Sequence, residues 1–132
     1  MEHVNWLAIV VAALAGFAIG GVWYGPLFGK AWMAATGMTE AKAKAANMAR
    51  TFGLTFVLNL VASASLAMLL SDPTFGWQQG LFYGAITGLT FVSTALGITY
   101  LFEQRPLSQF LINAGYQTVN FATMGVILGA WR

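Results

Sequence analysis

The chain has 132 residues, of which 58% are hydrophobic and only 8% are charged. An average soluble domain has about a quarter of its residues charged, so this chain cannot cover a globular surface with polar side chains. The net charge is only +2, and no basic cluster on an aqueous face suits nucleic acid. The sequence has no cysteine, which excludes disulfides and thiolate metal sites. The composition predicts an integral membrane protein.

Four uncharged segments are long enough to cross a bilayer as helices, which takes roughly 20 mostly apolar residues. They run from about Val4 to Tyr24, from about Phe52 to Leu70, from about Gly80 to Phe102 and from about Leu107 to Trp131. The first segment lacks the positively charged start of a signal peptide, so we predict that it is a membrane helix. We predict an all-α integral membrane four-helix bundle that forms one transmembrane domain over residues 1–132.

Basic residues divide unequally between the two sides of this predicted bundle. Five lie in the loops after the first and third segments: Lys30, Lys42, Lys44, Arg50 and Arg105. Only Arg132 lies on the other side. Because Lys and Arg collect in cytoplasmic loops, we predict one orientation, with both termini outside the cytoplasm.

The long first loop contains the sequence TGMTEAKAKAANMAR, which is rich in residues that favour helices. Thr39 is suited to cap such a helix at its N-terminus. We predict a short cytoplasmic helix that runs into the second span. Its basic side chains either form a solvated surface or contact anionic lipid headgroups.

The segment WYGPLFGKAWM follows the first span. Trp23, Tyr24 and Trp32 are suited to the headgroup layer, where amphipathic rings settle. Pro26 is expected to end the helix because it lacks an N–H donor, and Lys30 can extend to the phosphates. The segment is predicted to be an interfacial anchor, or alternatively a gate at the mouth of the bundle.

The same segment resembles the signature of a bacterial membrane family catalogued as domain of unknown function 1761. Further residues similar to that family are Asn5, the pair Gly115-Tyr116, the pair Met124-Gly125 and Trp131. The resemblance covers essentially the whole chain. It implies a small four-helix protein of the bacterial inner membrane, and it implies no particular activity.

Small residues recur at four-residue spacing in two of the spans. In the third span they are Gly80, Gly84 and Gly88, continued on the same face by Ala95. In the first span they are Ala8, Ala12, Gly16 and Gly20. Since membrane helices associate through close packing and interhelical hydrogen bonds, these faces predict tight packing. The pattern leaves open whether the partner helix belongs to the same chain or to another copy.

The fourth span has two different faces. At about 100° per residue, one face collects Gln109, Asn113, Tyr116, Gln117, Asn120 and Met124. The opposite face collects Ala114, Thr118, Ala122, Gly125 and Gly129. An edge helix of a bundle needs only one packing face, so the two faces predict a homo-oligomer in which this helix lies between its own bundle and another subunit.

Two hypotheses account for the amides, because the second span offers polar partners at Asn59 and Ser63. In the first, Asn113, Gln117 and Asn120 bond to those partners or to symmetry mates in a dry interface, at roughly 0.6 to 2 kcal/mol per bond. In the second, the same amides line a water-filled pathway for a small solute or ion.

Catalysis is not expected, because His3 is the only histidine and the carboxylates lie near helix ends or in loops. General acid–base chemistry needs a titrating group within reach of the substrate, and a metal needs converging ligands. We therefore predict no enzyme activity, no metal and no cofactor. The prediction is a passive pathway, or alternatively a structural or partner-binding membrane protein without transport.

Overall fold

The computed structural model describes residues 4–39, 41–42 and 47–131, and it contains helices and no strand within these ranges. Its five helices are α1 (Trp6–Leu27), α2 (Gly29–Thr36), α3 (Met48–Leu69), α4 (Trp77–Glu103) and α5 (Leu107–Ala130). By length and composition, α1, α3 and α4 are apolar enough to cross a membrane. The fourth predicted span, α5, is not among them, because amide and small residues lower its hydropathy.

Helix α1 starts one residue after Asn5, whose Oδ1 accepts a hydrogen bond from the Ala8 amide at 3.0 Å. The Asn5 Nδ2 donates to the carbonyl of Trp131 at 3.0 Å, which joins the start of α1 to the end of α5. Pro26 was predicted to end the helix, and α1 ends one residue after it, at Leu27. Pro26 itself lies within a π-helical turn, Trp23–Leu27.

The loop before α3 differs from the predicted continuous helix. The second half of the interfacial segment begins α2, which ends at Thr36 and is followed by Gly37 in the left-handed conformation (φ 75°). The Thr39 Oγ1 accepts from the Lys42 amide at 3.1 Å, as an N-cap does, whereas Glu40 and residues 43–46, including Lys44, lie outside the described residues. Asn47 is extended and caps α3 through the Arg50 amide. The loop therefore does not run into α3 as one helix.

Helix α4 contains a second π-helical turn, Thr87–Val92. The face formed by the three glycines of α4 continues one residue later than in a straight α-helix, at the buried Ser93. Ala95, which was predicted to continue this face, is exposed. The extra residue in the π-helical turn rotates the second half of α4, which explains the difference.

Helix α5 occupies a central position in the fold. One side packs along α4, and the other side packs against α1 and, less extensively, α3. A buried apolar cluster joins α1, α3 and α5 towards the termini: Ala8, Ile9, Ala12, Leu66, Leu70, Met124 and Leu128. The outer surface is strongly apolar, with Leu101 80% and Phe102 87% exposed. Such a surface is suited to hydrocarbon rather than to water.

Candidate functional site

Polar side chains line the contact between α5 and the helices around it. We call this set the polar seam, and it comprises Tyr24, Asn59, Ser63, Tyr100, Asn113, Tyr116 and Asn120. Five of the seven belong to the predicted amide face of α5 or to the polar partners predicted on the second span, which is α3. The other two are Tyr24 and Tyr100.

Asn113 joins three helices at the end of the seam nearest the α4–α5 loop. Its Oδ1 accepts a hydrogen bond from the Tyr24 hydroxyl at 2.7 Å. Its Nδ2 donates to the Tyr100 hydroxyl at 2.8 Å. One amide therefore connects the end of α1 and the end of α4 through α5, and both its oxygen and its nitrogen have partners.

One turn further along α5, Tyr116 bonds to the backbone of α1. Its hydroxyl donates to the carbonyl of Gly16 at 3.0 Å. A Cβ at Gly20 would lie 3.3 Å from the same hydroxyl oxygen. The small residues of α1 thus provide space for a tyrosine ring against the helix backbone.

The centre of the seam is an amide pair. The Asn120 Nδ2 donates to the Asn59 Oδ1 at 3.3 Å, and both side chains are buried. Asn120 also lies against Gly16, where any Cβ would overlap its Oδ1. Among the described residues, the Asn59 Nδ2 and the Asn120 Oδ1 have no hydrogen-bond partner. This pair therefore keeps one free donor and one free acceptor inside the protein.

Ser63 lies at the terminal end of the seam and is fully buried. Its Oγ donates to the carbonyl of Ile9 at 2.9 Å, which fixes α3 against α1. Beyond it the apolar cluster begins, and Met124, one turn after Asn120, is fully buried. The seam is closed by apolar side chains on this side.

The two glutamines of the predicted amide face are placed differently from the asparagines. Gln109 is buried, and its Oε1 has no hydrogen-bond partner within the described part of the chain. Gln117 is half-buried, and its backbone carbonyl faces α4, at 2.8 Å from a Cβ built on Gly88. Gln117 does not reach Asn59 or Ser63, because it lies at the border between the two faces of α5.

The small-residue face of α5 packs against α4 within the same chain. A Cβ on Gly80 would lie 2.7 Å from the carbonyl carbon of Gly125, and one on Gly84 would lie 2.9 Å from that of Phe121. A Cβ on Gly88 would lie 2.7 Å from the Cα of Thr118. Both faces of α5 are therefore occupied inside one chain. This packing does not test the predicted homo-oligomer, which stays a prediction.

The sequence matches the model of one known protein family. A family model described as "Protein of unknown function (DUF1761)" matches residues 7–129, nearly the whole chain. The chain belongs to the DUF1761 family. No curated protein and no solved structure matches it.

In this DUF1761 chain, aromatic residues of the WYGPLFGKAWM segment contact α5. The Trp23 Nε1 donates to the carbonyl of Ile112 at 3.0 Å. The Tyr24 ring lies 5.3 Å from that of Tyr116 and 5.9 Å from that of Trp32, both edge to face. Lys30 is exposed. The aromatic residues predicted as an anchor thus also fix the end of α1 to α5.

Sequence reasoning did not assign the two tyrosines that hold Asn113. Tyr24 was interpreted as an interfacial ring, and Tyr100 was given no role. The sequence could have suggested this contact, because a buried tyrosine hydroxyl usually has a hydrogen-bond partner. Tyr24 and Tyr100 lie near the ends of their spans, and Asn113 lies about two turns after the start of α5, at the same end of the bundle.

Proposed function

We propose that this protein is a four-helix integral membrane bundle that acts as a structural or partner-binding component, without catalysis or transport. Helices α1, α3, α4 and α5 would be its four spans. The observation that carries the proposal is the pairing of Asn113 with two tyrosines of its own chain, since an amide with both groups satisfied is not available to a passing solute. Because both faces of α5 pack against helices of the same chain, we take one chain as the functional unit.

The energetics of the seam support the same proposal. Interhelical hydrogen bonds in membrane proteins contribute about 0.6 kcal/mol on average and up to about 1.7. The bonds from Asn113, Tyr116, Asn120 and Ser63 link α5 to α1 and α4, and α3 to its neighbours. Together they specify one arrangement of four helices. The apolar cluster then closes the terminal side of the seam.

A second function, a narrow pathway for a small polar solute, has one observation in its favour. The Asn59 Nδ2, the Gln109 Oε1 and the Asn120 Oδ1 are buried without hydrogen-bond partners among the described residues. Buried polar groups are usually paired with protein or water. A pathway would have to pass these three atoms and open the apolar cluster.

Cysteine labelling separates the two functions, and the chain has no native cysteine to interfere. Single cysteines at Asn113, Gln117 and Asn120 are treated in intact cells with a membrane-impermeant thiol reagent. Leu111 and Val119, which are exposed on the outer side of α5, serve as apolar controls. A dry seam predicts that all five positions are protected. Labelling of the amide positions but not of the controls would replace this proposal with the pathway.

We also propose that the protein lies in the cell membrane with both termini outside the cytoplasm. The support is the division of basic residues, five between the end of α1 and the first turn of α3 or between α4 and α5, against one on the other side. A cysteine at Ser71, exposed in the α3–α4 loop, should then be labelled in intact cells. A cysteine at Gln104, exposed in the α4–α5 loop, should be labelled only after permeabilisation. The reverse pattern would invert the orientation.

A further inference from the structure

An apolar groove of about 690 Å³ runs along the outer surface between α4 and α5. Its floor is formed by small residues of α5, among them Gly115 and Thr118, and Trp23 of α1 closes one side. On the other side it is lined by α4 from Leu89 to Leu101. The hydroxyls of Ser93 and Thr118 bond to backbone carbonyls, so the groove presents hydrocarbon rather than free polar groups.

Both π-helical turns border this groove. Trp23 is the first residue of the turn in α1, and Leu89 lies in the turn of α4. The Trp23 ring is held by its bond to Ile112, and it lies 3.0 Å from the Cβ position of Gly115. Single π-helical turns occur frequently at functional sites. The presence of two such turns beside this groove indicates that the groove is a functional feature of the fold.

The groove has the length of one membrane leaflet. From Leu89 to Leu101, a rise of about 1.5 Å per residue gives a length of about 18 Å. The hydrocarbon core is about 30 Å thick, so each leaflet contributes about 15 Å. The groove therefore extends from near the middle of the bilayer to the interface at the end of α4.

The length of the groove favours a lipid acyl chain over a helix from a second copy. The acyl chain of a phospholipid occupies one leaflet, about 15 Å of hydrocarbon. A spanning helix crosses about 30 Å and would extend well beyond the groove.

The interfacial end of the groove carries one ion pair. Arg105 follows α4, and its amide donates to the carbonyl of Tyr100 at 2.9 Å, which keeps it next to Leu101 at the mouth of the groove. Its side chain is 45% exposed and is 3.3 Å from Glu103, an exposed pair that contributes little and is readily exchanged. A lipid phosphate at this end can replace Glu103 as the partner of Arg105.

We propose that this groove binds one anionic phospholipid, with its acyl chain along α4, α5 and Trp23 and its phosphate beside Arg105. The proposal rests on the placement of the four helices in a bilayer. It does not depend on whether the polar seam is dry, so the two proposals can fail separately.

Native mass spectrometry of the purified full-length protein tests the acyl-chain part of the site. The protein is released from detergent after incubation with dioleoylphosphatidylglycerol or dioleoylphosphatidylcholine. Ile98→Trp places a ring in the groove, and Val61→Trp places one on α3 at a position of equal exposure, 59% in both cases. We expect Ile98→Trp to remove the retained phosphatidylglycerol and Val61→Trp to leave it unchanged. Equal retention in both variants would overturn the proposal.

The headgroup part is tested with charge variants in the same assay. Arg105→Gln is expected to lower phosphatidylglycerol binding about fivefold, the equivalent of about 1 kcal/mol for one basic residue at a membrane surface. Phosphatidylcholine binding should not change. Arg50→Gln, on the same side but at the start of α3, is the matched control and should have no effect. Equal effects of the two charge variants would show that anionic lipid is attracted to the basic residues of this side in general, and would contradict the proposal.

A disulfide test excludes the other occupant. In membranes, a cysteine at Ile98 should not form a disulfide between copies under oxidation, because the groove is filled by lipid. Efficient dimer formation through Ile98→Cys, but not through Val61→Cys, would assign the groove to a second copy of the chain and overturn the lipid site.

Discussion

Gly80 of α4 and Gly125 of α5 approach each other so closely that neither position has space for a side chain. A Cβ on Gly80 would overlap the Gly125 carbonyl oxygen, and a Cβ on Gly125 would lie 2.8 Å from the carbonyl carbon of Gly80. The obstacle on each side is backbone, which cannot rotate away. This mutual contact fixes the distance between the two helices, and the space between them is filled without large side chains.

Gly80→Ala should therefore destabilise the protein by about 1 to 3 kcal/mol, the usual cost of overpacking. The measurement is thermal unfolding of the purified protein in detergent. Gly53→Ala is the matched control, since a Cβ at Gly53 meets nothing within 4 Å. That control should be unchanged or slightly stabilised, because alanine favours the helix. Equal melting temperatures for the two variants would contradict the close packing of α4 and α5.

Gly16→Ala should cost less than Gly80→Ala, because the atom in the way belongs to a side chain. A Cβ at Gly16 would overlap the Oδ1 of Asn120 and lie 3.2 Å from its Cγ. We expect a loss of about 1 kcal/mol. In an Asn120→Ala background the same substitution should be nearly neutral, and unfolding of the four variants of this cycle measures the coupling. Additive costs would show that Asn120 does not occupy this position.

Asn113→Leu should destabilise the protein by about 1 to 2 kcal/mol through the loss of two interhelical bonds. Tyr24→Phe and Tyr100→Phe each remove one of these bonds. The combination of Asn113→Leu with either phenylalanine should cost less than the sum of the single changes. Thr87→Val is a control, since this hydroxyl bonds only within its own helix. If Asn113 shows no energetic coupling to either tyrosine, the hydrogen bonds that define this end of the seam are contradicted.

The π-helical turn in α4 predicts opposite outcomes at two neighbouring positions. Ser93 is 3% exposed, and its Oγ bonds to the Gly88 carbonyl at 2.7 Å, so Ser93→Leu should cost about 1 to 3 kcal/mol. Ala95 is exposed, so Ala95→Leu should stay within about 0.5 kcal/mol of the parent. Denaturant or thermal unfolding distinguishes them. A damaging Ala95→Leu with a tolerated Ser93→Leu would indicate a straight α-helix.

The sequence predicted the helical class and the approximate extent of the long helices, because long uncharged runs have few other structures available. Helix ends moved by two to four residues where local capping decided them, as Asn47 does for α3. The two π-helical turns could not be predicted, because periodicity arguments assume a constant 3.6 residues per turn. The assignment of Ala95 to the packing face failed for that reason.

The amide face of α5 was also visible in the sequence, but its partners were not. A helical projection shows which residues share a face and says nothing about which helix lies opposite. The same limit applies to the argument for a homo-oligomer, because a projection cannot show how many neighbours a helix has within its own chain. Gly125 on one face and Asn120 on the other both find their partners in the same chain.

The central position of α5 also has a consequence for how the protein is made. This helix is synthesised after α1, α3 and α4, and length and composition mark those three, but not α5, as able to cross a membrane. Its partners Tyr24, Asn59 and Tyr100 all precede it in the chain. In the proposed bundle, α1, α3 and α4 therefore enter the bilayer before α5, and truncation before Leu107 would leave these polar groups without their partners.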